Sequence, residues 1–393
     1  MSHLKFAASA ARLGTESAFV VLARAQELAA QGLDIINLGI GQPDFRTPEH
    51  IVQAGIKALQ DGQHGYTAAN GMLDLREAVV QDLSIRHGAT IDAEQVVVVP
   101  GGKPSMFFAV LMFGEPGCEI MYPDPGFPIY ESVIRYSGAT PVPIKLREET
   151  GFSFAADEIL SRINTKTRLI ILNSPSNPTG GVVNKSELDK LAAGLASHPH
   201  VAVLSDEIYS QMLYEGCGHV SLLSYPEIRD QVIMLDGWSK TYAMTGWRIG
   251  YAVWPPSMIE TVTRLCINDH SCVNACAQHA ALAALNGPKD AVLYMLEQFN
   301  ARRKIIVQAL NDMPNVSCAN ASGAFYVFPN ISQTGLTAKQ AQDLFLEKAG
   351  VATIAGTSFG DNGEGFIRFS YANSTDNILK AMDRIRAILS SNT

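Results

Sequence analysis

The 393-residue sequence contains no apolar run long enough to cross a membrane. The longest unbroken apolar run is residues 106–113, whereas a spanning helix needs about 20 apolar residues. The N-terminal residues also lack a continuous apolar segment, and Glu16 and Glu27 interrupt their pattern. We therefore expect neither a signal peptide nor a membrane partner.

Cysteine is scarce, and the six cysteines form no CxxC pair. A chain of this length needs no disulfide framework, so we expect a reducing, cytoplasmic setting. Cys272, Cys276 and His279 could share one helical face, but structural zinc sites favour tighter ligand spacing. The sequence therefore predicts small residues packed on a buried helix there, and no metal.

Charged residues make up only 17% of the chain, and the net charge is −8. A mildly acidic chain offers no general basic face, so no nucleic-acid partner is expected. Hydrophobic residues make up 47%, which excludes global disorder. The length suits one large α/β domain with a smaller companion, or two to three domains.

Short runs of branched apolar residues alternate with helical patterns such as residues 185–196. Five of these runs indicate buried strands, at residues 95–99, 168–172, 201–204, 231–235 and 249–253. Because the runs do not alternate with polar residues, both faces of each strand must be covered. The alternation predicts an α/β fold with a three-layer, mostly parallel sheet.

The C-terminal part predicts a smaller α+β domain, which begins after a helix break at Gly287-Pro288. We expect helices at 291–310, 338–349 and 375–389, and strands at 324–328 and 366–370. The charge run at Arg302, Arg303 and Lys304 predicts a solvated helix face. The expected domains are an N-terminal arm with part of the small domain (1–48), a large domain (49–286) and a small domain (287–393).

Polar loops rich in Gly and Pro follow several of the predicted strands, where open parallel sheets bind ligands. Residues 100–105 (PGGKPS) can offer backbone N–H groups and a helix N-terminus to a phosphate, or form a plain tight turn. Residues 173–180 (NSPSNPTG) can hold the amide of Asn177 on a rigid loop, or form an Asx-type turn.

Two further loops carry ionisable side chains. Asp206 and Tyr209 follow the strand at 201–204, and Asp206 is either a buried carboxylate that needs a partner or a helix N-cap. Lys240 lies in an apolar, aromatic context, where a desolvated lysine near other cations has a lowered pKa and becomes an amine nucleophile. Arg248, eight residues later, can supply a neighbouring charge and a phosphate clamp.

Together these loops offer an amine, a carboxylate, an amide, a phenol, an arginine and a Gly-rich anion cradle. Pyridoxal 5′-phosphate presents a phosphate, an aldehyde, a pyridine nitrogen and a phenolic oxygen, so it uses every one of these groups. The sequence therefore predicts this cofactor.

Five sequence runs resemble those of class I/II aminotransferases, the fold-type I pyridoxal-phosphate enzymes, and stand in the family's order. They are LGIGQPDF (38–45), NSPSNPTG (173–180), SDEIY (205–209), SKTYAMTGWRIGY (239–251) and SGAFYVF (322–328). The resemblance covers about residues 36–388 and is closest to the prokaryotic aspartate/aromatic branch. It implies transfer of an α-amino group between an amino acid and a 2-oxo acid (EC 2.6.1.-).

The resemblance also implies roles at the cofactor. Lys240 is the Schiff-base lysine and proton carrier, Asp206 pairs with the pyridine nitrogen, and Tyr209 and Asn177 hydrogen-bond the ring oxygen. Phe127 stacks on the ring where many relatives have Trp, so the sequence departs from the family there. The phosphate contacts implied are Gly101, Gly102, Lys103, Ser239 and Arg248, and Tyr66 of the neighbouring subunit.

Substrate contacts are implied for Arg368, which clamps the α-carboxylate, and for Gly41 through its backbone, with Phe127 and Asn177 nearby. Lys103 is the candidate reader of an acidic side chain; the alternative is that it only supports the phosphate. Because Phe127 can form a hydrophobic pocket, amino donors with aromatic or aliphatic side chains are the alternative to acidic ones. The Tyr66 contact implies a homodimer with shared active sites, and ordinary core packing is the alternative for Tyr66.

Two other functions remain open at this point. A β-eliminating lyase of the same fold would use the same residues around the cofactor and release pyruvate and ammonia. A non-catalytic ligand sensor would need a DNA-binding extension, for which the chain has no room. The presence of Lys240, Asp206 and Arg368 favours catalysis.

Overall fold

A computed structural model describes residues 4–391. The strands of this part of the chain are β1 (Ile36–Asn37), β2 (Val96–Val99), β3 (Glu119–Asp124), β4 (Thr140–Lys145), β5 (Thr167–Asn173), β6 (Ala202–Asp206), β7 (Val232–Gly237), β8 (Gly250–Val253), β9 (Tyr326–Val327), β10 (Val351–Ala352), β11 (Ile354–Ala355) and β12 (Ile367–Ser370). The five strands predicted for the large sheet are therefore confirmed, with shifted ends.

The α-helices follow the predicted alternation with the strands. They are α1 (Ser17–Ala30), α2 (Glu49–Gln60), α3 (Leu73–His87), α4 (Lys103–Phe113), α5 (Ile129–Ser137), α6 (Ala156–Arg162), α7 (Lys185–Leu195), α8 (Trp238–Thr241), α9 (Ile259–Asp269), α10 (Ala275–Asn286), α11 (Asp290–Asn311), α12 (Ala338–Ala349) and α13 (Thr375–Ser391). The predicted break at Gly287-Pro288 separates α10 from α11. None of the described helices is long and apolar enough to span a bilayer.

The large sheet has seven strands in the order β2-β8-β7-β6-β5-β3-β4. Only β8 runs antiparallel to its neighbours, β2 and β7. Alternate residues of β5 pack into two different cores: Ile170 and Leu172 into one, Leu169 and Ile171 into the other. Both faces of the sheet are therefore covered, and the predicted three-layer, mostly parallel α/β fold is confirmed.

The strand ends of the large sheet meet along one edge. Asn173 at the end of β5 is paired with Asp206 at the end of β6, and Asp206 is paired with Leu235 in β7. The loops that follow these strands consequently start side by side. This register brings together residues that lie more than 60 positions apart in the sequence.

Two small sheets contain residues from both ends of the chain. β1 pairs in parallel with β10, and β11, β12 and β9 form an antiparallel sheet. Residue 36 and residue 351 are thus neighbours, which supports an N-terminal contribution to the small domain. The boundaries 1–48, 49–286 and 287–393 stay a prediction.

One predicted strand is shorter than expected. Within residues 324–328, only β9 (Tyr326–Val327) is a strand. Ala324 has a φ of 57°, in the left-handed region, so the extended backbone cannot begin at that residue. The segment 366–370 forms β12, in which all four residues are buried.

The prediction that Arg302 and Arg303 form a solvated helix face is wrong, because both are buried on α11. Arg302 Nη1 pairs with Asp44 Oδ1 at 2.7 Å, and Arg303 Nη1 donates to the carbonyl oxygen of Ala321 at 3.1 Å. Only Lys304 of the charge run is exposed. The long guanidinium side chains reach partners outside the helix that the local pattern cannot indicate.

The six cysteines are unpaired. Cys272 lies in the turn before α10, so it does not share a helical face with Cys276 and His279 as the sequence suggested. Within residues 4–391, no group of three His, Cys, Asp or Glu side chains is placed to hold a metal ion.

Candidate active site

A cavity of about 590 Å³ lies at the edge where β5, β6 and β7 end. It is lined by most of the residues that the sequence singled out: Gly41, Gly102, Lys103, Phe127, Asn177, Asp206, Tyr209, Ser239, Lys240, Arg248 and Arg368. Gly101 and Tyr66 do not line the cavity, and Tyr66 is 93% exposed. The chain therefore collects every candidate except these two around one space.

Lys240 projects into the cavity from the four-residue helix α8, directly after β7. Its Nζ donates a hydrogen bond of 2.6 Å to the carbonyl oxygen of Gly41 and lies 5.9 Å from the ring centroid of Tyr209. Desolvation, and then the nearby charges of Arg368 and Arg248, lower the pKa of Lys240 to about 8. More of this amine is consequently uncharged at neutral pH than in an exposed lysine.

Asp206 forms the floor of the cavity at the end of β6. Its carboxylate accepts hydrogen bonds from Tyr130 Oη at 2.6 Å and from the Ile208 backbone N–H at 3.2 Å. Burial is the main cause that raises the pKa of Asp206, to about 6. A cation placed against this carboxylate would favour its charged form, so the position suits a protonated ring nitrogen.

Arg368 lies in β12 and is 4% exposed. Its Nη1 donates to Asn177 Oδ1 at 2.9 Å, Nη2 donates to the carbonyl oxygen of Gly39, and Nε has no protein partner. Among the described residues this guanidinium forms no ion pair with a carboxylate. A buried cation with an unpartnered N–H fits a carboxylate ligand, which an arginine fork binds well.

Tyr209 and Tyr326 share a buried hydrogen bond above Asp206. Their hydroxyl oxygens lie 2.9 Å apart. Burial raises the pKa of Tyr209 well above its usual value, so this phenol stays protonated and can donate. Tyr326 also packs under Arg368, whose guanidinium carbon lies 4.8 Å from the ring centroid.

The opposite end of the cavity suits an anion. Gly102 is the N-cap of α4, and the exposed Arg248 forms no ion pair with a carboxylate in the described part of the chain. Gly101 has a φ of 82°, and a Cβ there would lie 2.0 Å from Arg248 Nη2, so only glycine permits this approach. A helix N-terminus beside an unpaired arginine fits the phosphate of pyridoxal 5′-phosphate.

Lys103 lies at the mouth of the cavity and not at its base. Its ammonium forms an ion pair with Glu16 and lies 5.3 Å from the ring centroid of Phe127. Phe127 contacts Tyr130 edge-on, with ring centroids 5.7 Å apart. Lys103 therefore meets a protein carboxylate in the cavity before any substrate arrives.

Sequence reasoning missed three titratable residues that line the cavity: Glu16, Tyr130 and Tyr326. Tyr326 stands inside the run SGAFYVF, so attention to the polar residue of that run could have found it. Tyr130 follows Phe127 by three residues and lies in the first turn of α5. No local signal marks Glu16, which reaches the cavity only because the N-terminal arm folds over it.

Comparison with known proteins agrees with this geometry. The sequence matches the family described as aminotransferase class I and II over residues 33–385. It is 40% identical over 365 residues to the aspartate aminotransferase of Pyrococcus horikoshii, covering 92% of this chain and 93% of that protein. It is 35% identical over 364 residues to aromatic-amino-acid aminotransferase 2 of Thermococcus litoralis, covering 92% and 93%.

The fold agrees as well. It matches the crystal structure of the aspartate aminotransferase from Rhizobium meliloti with a TM-score of 0.94 at 32% identity, covering 98% of this chain and 99% of that one. These matches favour amino transfer over the β-eliminating lyase, and the names of the relatives differ in the amino donor. The chain belongs to the class I and II aminotransferase family and is a pyridoxal-phosphate-dependent enzyme that transfers an amino group between an amino acid and a 2-oxo acid.

Proposed function

We propose that the cavity at the end of β5, β6 and β7 is the site of this transamination, with Lys240 as the proton carrier. The observation that carries the proposal is the convergence of an amine, a carboxylate and a guanidinium, from Lys240, Asp206 and Arg368, on one cavity. The ends of β6 and β7 position Asp206 and Lys240, and β12 of the small antiparallel sheet positions Arg368.

Lys240 acts as base and acid. When bound, pyridoxal phosphate supplies an aldehyde that takes up the amino group and a ring that accepts electrons from the substrate Cα. The amine of Lys240 removes the proton from the substrate Cα and delivers it to the former aldehyde carbon of the cofactor. A pKa lowered to about 8 suits this role, because a general base works best when its pKa is near the working pH.

Asp206 keeps the ring nitrogen protonated, since a buried carboxylate stabilises a cation at hydrogen-bond distance. Tyr130 Oη donates to Asp206 and fixes the orientation of the carboxylate. Tyr209 and Asn177 donate hydrogen bonds to the phenolic oxygen of the ring. Gly102, Ser239 and Arg248 hold the phosphate, with Gly101 shaping the turn behind them.

Arg368 orients the substrate by binding its α-carboxylate through the fork that is only partly occupied by Asn177 and Gly39. Gly41 lies beside Lys240 and contacts the substrate through its backbone. A Cβ on Gly41 would lie 2.1 Å from Tyr326 Oη, so the close packing here requires glycine.

The active enzyme is a homodimer that shares its sites, with Tyr66 reaching the phosphate of the partner's site. The support is that Tyr66 is 93% exposed, which removes core packing as its role within one chain. Ile56 and Leu59, on the helix before it, are also exposed apolar side chains, as expected at an interface. The reducing compartment inferred from the cysteine pattern, the cytoplasm, is part of this proposal.

The test is replacement of Lys240 by Ala in the purified holoenzyme. The visible absorption of the lysine-bound cofactor and all turnover should be lost, whereas the exposed control Lys185→Ala should keep both. A panel of amino donors with pyruvate or 2-oxoglutarate should yield one new amino acid for each 2-oxo acid formed. Release of ammonia in place of a new amino acid, or normal turnover by Lys240→Ala, would refute the proposal.

A further inference from the structure

Among the described residues, six charged side chains line the cavity, and the proposed function uses four of them. Lys240, Asp206, Arg248 and Arg368 serve the amine chemistry, the ring nitrogen, the phosphate and the α-carboxylate. The remaining two are Glu16 and Lys103. Since neither is used for the cofactor or the α-carboxylate, these two are the charged side chains left to contact the side chain of a substrate.

Glu16 and Lys103 neutralise each other. They form an ion pair in which the side chain of Glu16 is 15% exposed and that of Lys103 is 47% exposed. Phe127 flanks the pair on the cavity side, with its ring centroid 5.3 Å from Lys103 Nζ. The pair therefore carries no net charge, although it contains a lysine.

The position of Glu16 is fixed from both sides. Just before it, the Gly14 backbone N–H donates to Ser132 Oγ on α5 at 2.9 Å. Eight residues after it, α1 contacts α12 through an ion pair between Arg24 and Glu347, 3.0 Å long. The segment around Glu16 is therefore in contact with α5 on one side and with α12 on the other, and Glu16 itself pairs with Lys103.

Apolar side chains line the same cavity. They include Phe19 and Leu22 on α1, Ile40 and Phe127. We propose that Glu16 sets the side-chain preference of the enzyme by neutralising Lys103, so that amino donors with uncharged side chains are favoured over aspartate and glutamate. This inference rests on the proposed function, because it assumes that the cavity binds the donor with its α-carboxylate on Arg368.

An acidic side chain meets two obstacles at this place. Lys103 would have to leave Glu16 before it could bind the substrate, and the carboxylate of Glu16 would then repel the second carboxylate at short range. An apolar side chain packs against Phe19, Leu22 and Phe127 without disturbing the pair. The sequence analysis predicted that Lys103 reads an acidic side chain, without taking Glu16 into account. We propose instead that Glu16 neutralises Lys103 and so disfavours such side chains.

The experiment compares the holoenzyme with its Glu16→Gln variant. Calorimetry measures the dissociation constants of succinate, a dicarboxylate, and of 4-methylpentanoate, an apolar monocarboxylate. Releasing Lys103 should tighten succinate about tenfold or more, the effect of one charge-assisted hydrogen bond, and change 4-methylpentanoate by less than about threefold. The ratio of kcat/KM for aspartate to that for leucine should rise by a similar factor.

Two further variants isolate the cause. Adding Lys103→Met to Glu16→Gln should abolish the gain for succinate, because the released cation is gone. Glu27→Gln removes a carboxylate from the same helix, where it pairs only with the exposed Arg24, and should change neither ligand. An equal tightening in the double variant would show that the effect does not pass through Lys103.

The inference is overturned if Glu16→Gln leaves the ratio of the two dissociation constants within about twofold of wild type. It is also overturned if the wild-type enzyme has a higher kcat/KM for aspartate than for leucine, or if the holoenzyme binds neither ligand. The binding measurement needs no turnover, so it tests Glu16 even if the proposed transamination fails. A lack of turnover with every donor would count against the proposed function alone.

Discussion

Arg368 and Asn177 share a hydrogen bond of 2.9 Å, from Nη1 to Oδ1, which joins β12 to the loop after β5. The bond connects the small antiparallel sheet to the edge of the large sheet. It also sets the plane of the guanidinium and leaves Nε without a protein partner. A substrate carboxylate bound by Arg368 is therefore connected to the small sheet through β12 and to the large sheet through Asn177.

The first prediction concerns the shape of this guanidinium. Arg368→Lys keeps the positive charge but loses the planar fork, so kcat/KM for every amino donor should fall by about ten- to a hundredfold. Steady-state kinetics with several donors measures the effect. The exposed Arg264, which pairs with Glu260 on α9, supplies the control variant Arg264→Lys. A loss confined to one donor would mean that Arg368 reads the side chain instead of the α-carboxylate.

The second prediction concerns Asp206. Asp206→Asn preserves size and can still accept a hydrogen bond from Tyr130, but it cannot stabilise a protonated ring nitrogen. We expect kcat to fall by about a hundred- to a thousandfold, while cofactor remains bound. Asp124→Asn is the matched control, because Asp124 is a buried carboxylate that does not line the cavity. Comparable losses in both variants would remove Asp206 from this role.

The third prediction concerns the cost of the desolvated ammonium of Lys240 in cofactor-free protein. The pKa of Lys240 is lowered in the folded state from 10.5 to about 8, so the folded protein binds fewer protons than the unfolded chain between these values. The buried ammonium of Lys240 therefore lowers the free energy of unfolding. This destabilisation is largest below pH 8 and disappears as the pH rises toward 10.5.

Lys240→Met removes this pH-dependent cost. The difference in unfolding free energy between Lys240→Met and wild type should shrink by about 2 kcal/mol between pH 7 and pH 9.5. Urea unfolding of the two cofactor-free proteins at both pH values gives the numbers, and Lys185→Met should show a flat difference. A difference that grows with pH would mean that the folded state raises the pKa of Lys240.

The fourth prediction concerns the dimer. The Lys240→Ala and Tyr66→Ala variants should each have little or no activity alone. Mixing their subunits should restore about one quarter of wild-type activity, because half of the dimers are mixed and one of the two sites in each mixed dimer is intact. Light scattering should give the mass of two chains. An active monomer, or a mixture no better than the average of its parents, would rule out shared sites.

The sequence alone determined much of the fold. Unbroken branched apolar runs must be covered on both faces, so they predicted the mostly parallel sheet and its helical layers. Because chain direction fixes which edge of such a sheet carries the loops, the order of strands and loops along the chain already grouped Asn177, Asp206 and Lys240. Their chemistry and the resemblance together then specified the cofactor.

Only the tertiary structure decided which charges meet. Arg302 and Arg303 belong to a charge run that looks solvated in the sequence, yet α11 buries them against Asp44 and Ala321. Lys103 looked like a free cation, but the N-terminal arm brings Glu16 onto it from 87 residues away. Local sequence patterns indicate which face of a helix or strand a residue occupies. The charge of a site depends on every group that packing brings within a few ångströms. Neither of two distant segments indicates by its own sequence that it packs against the other.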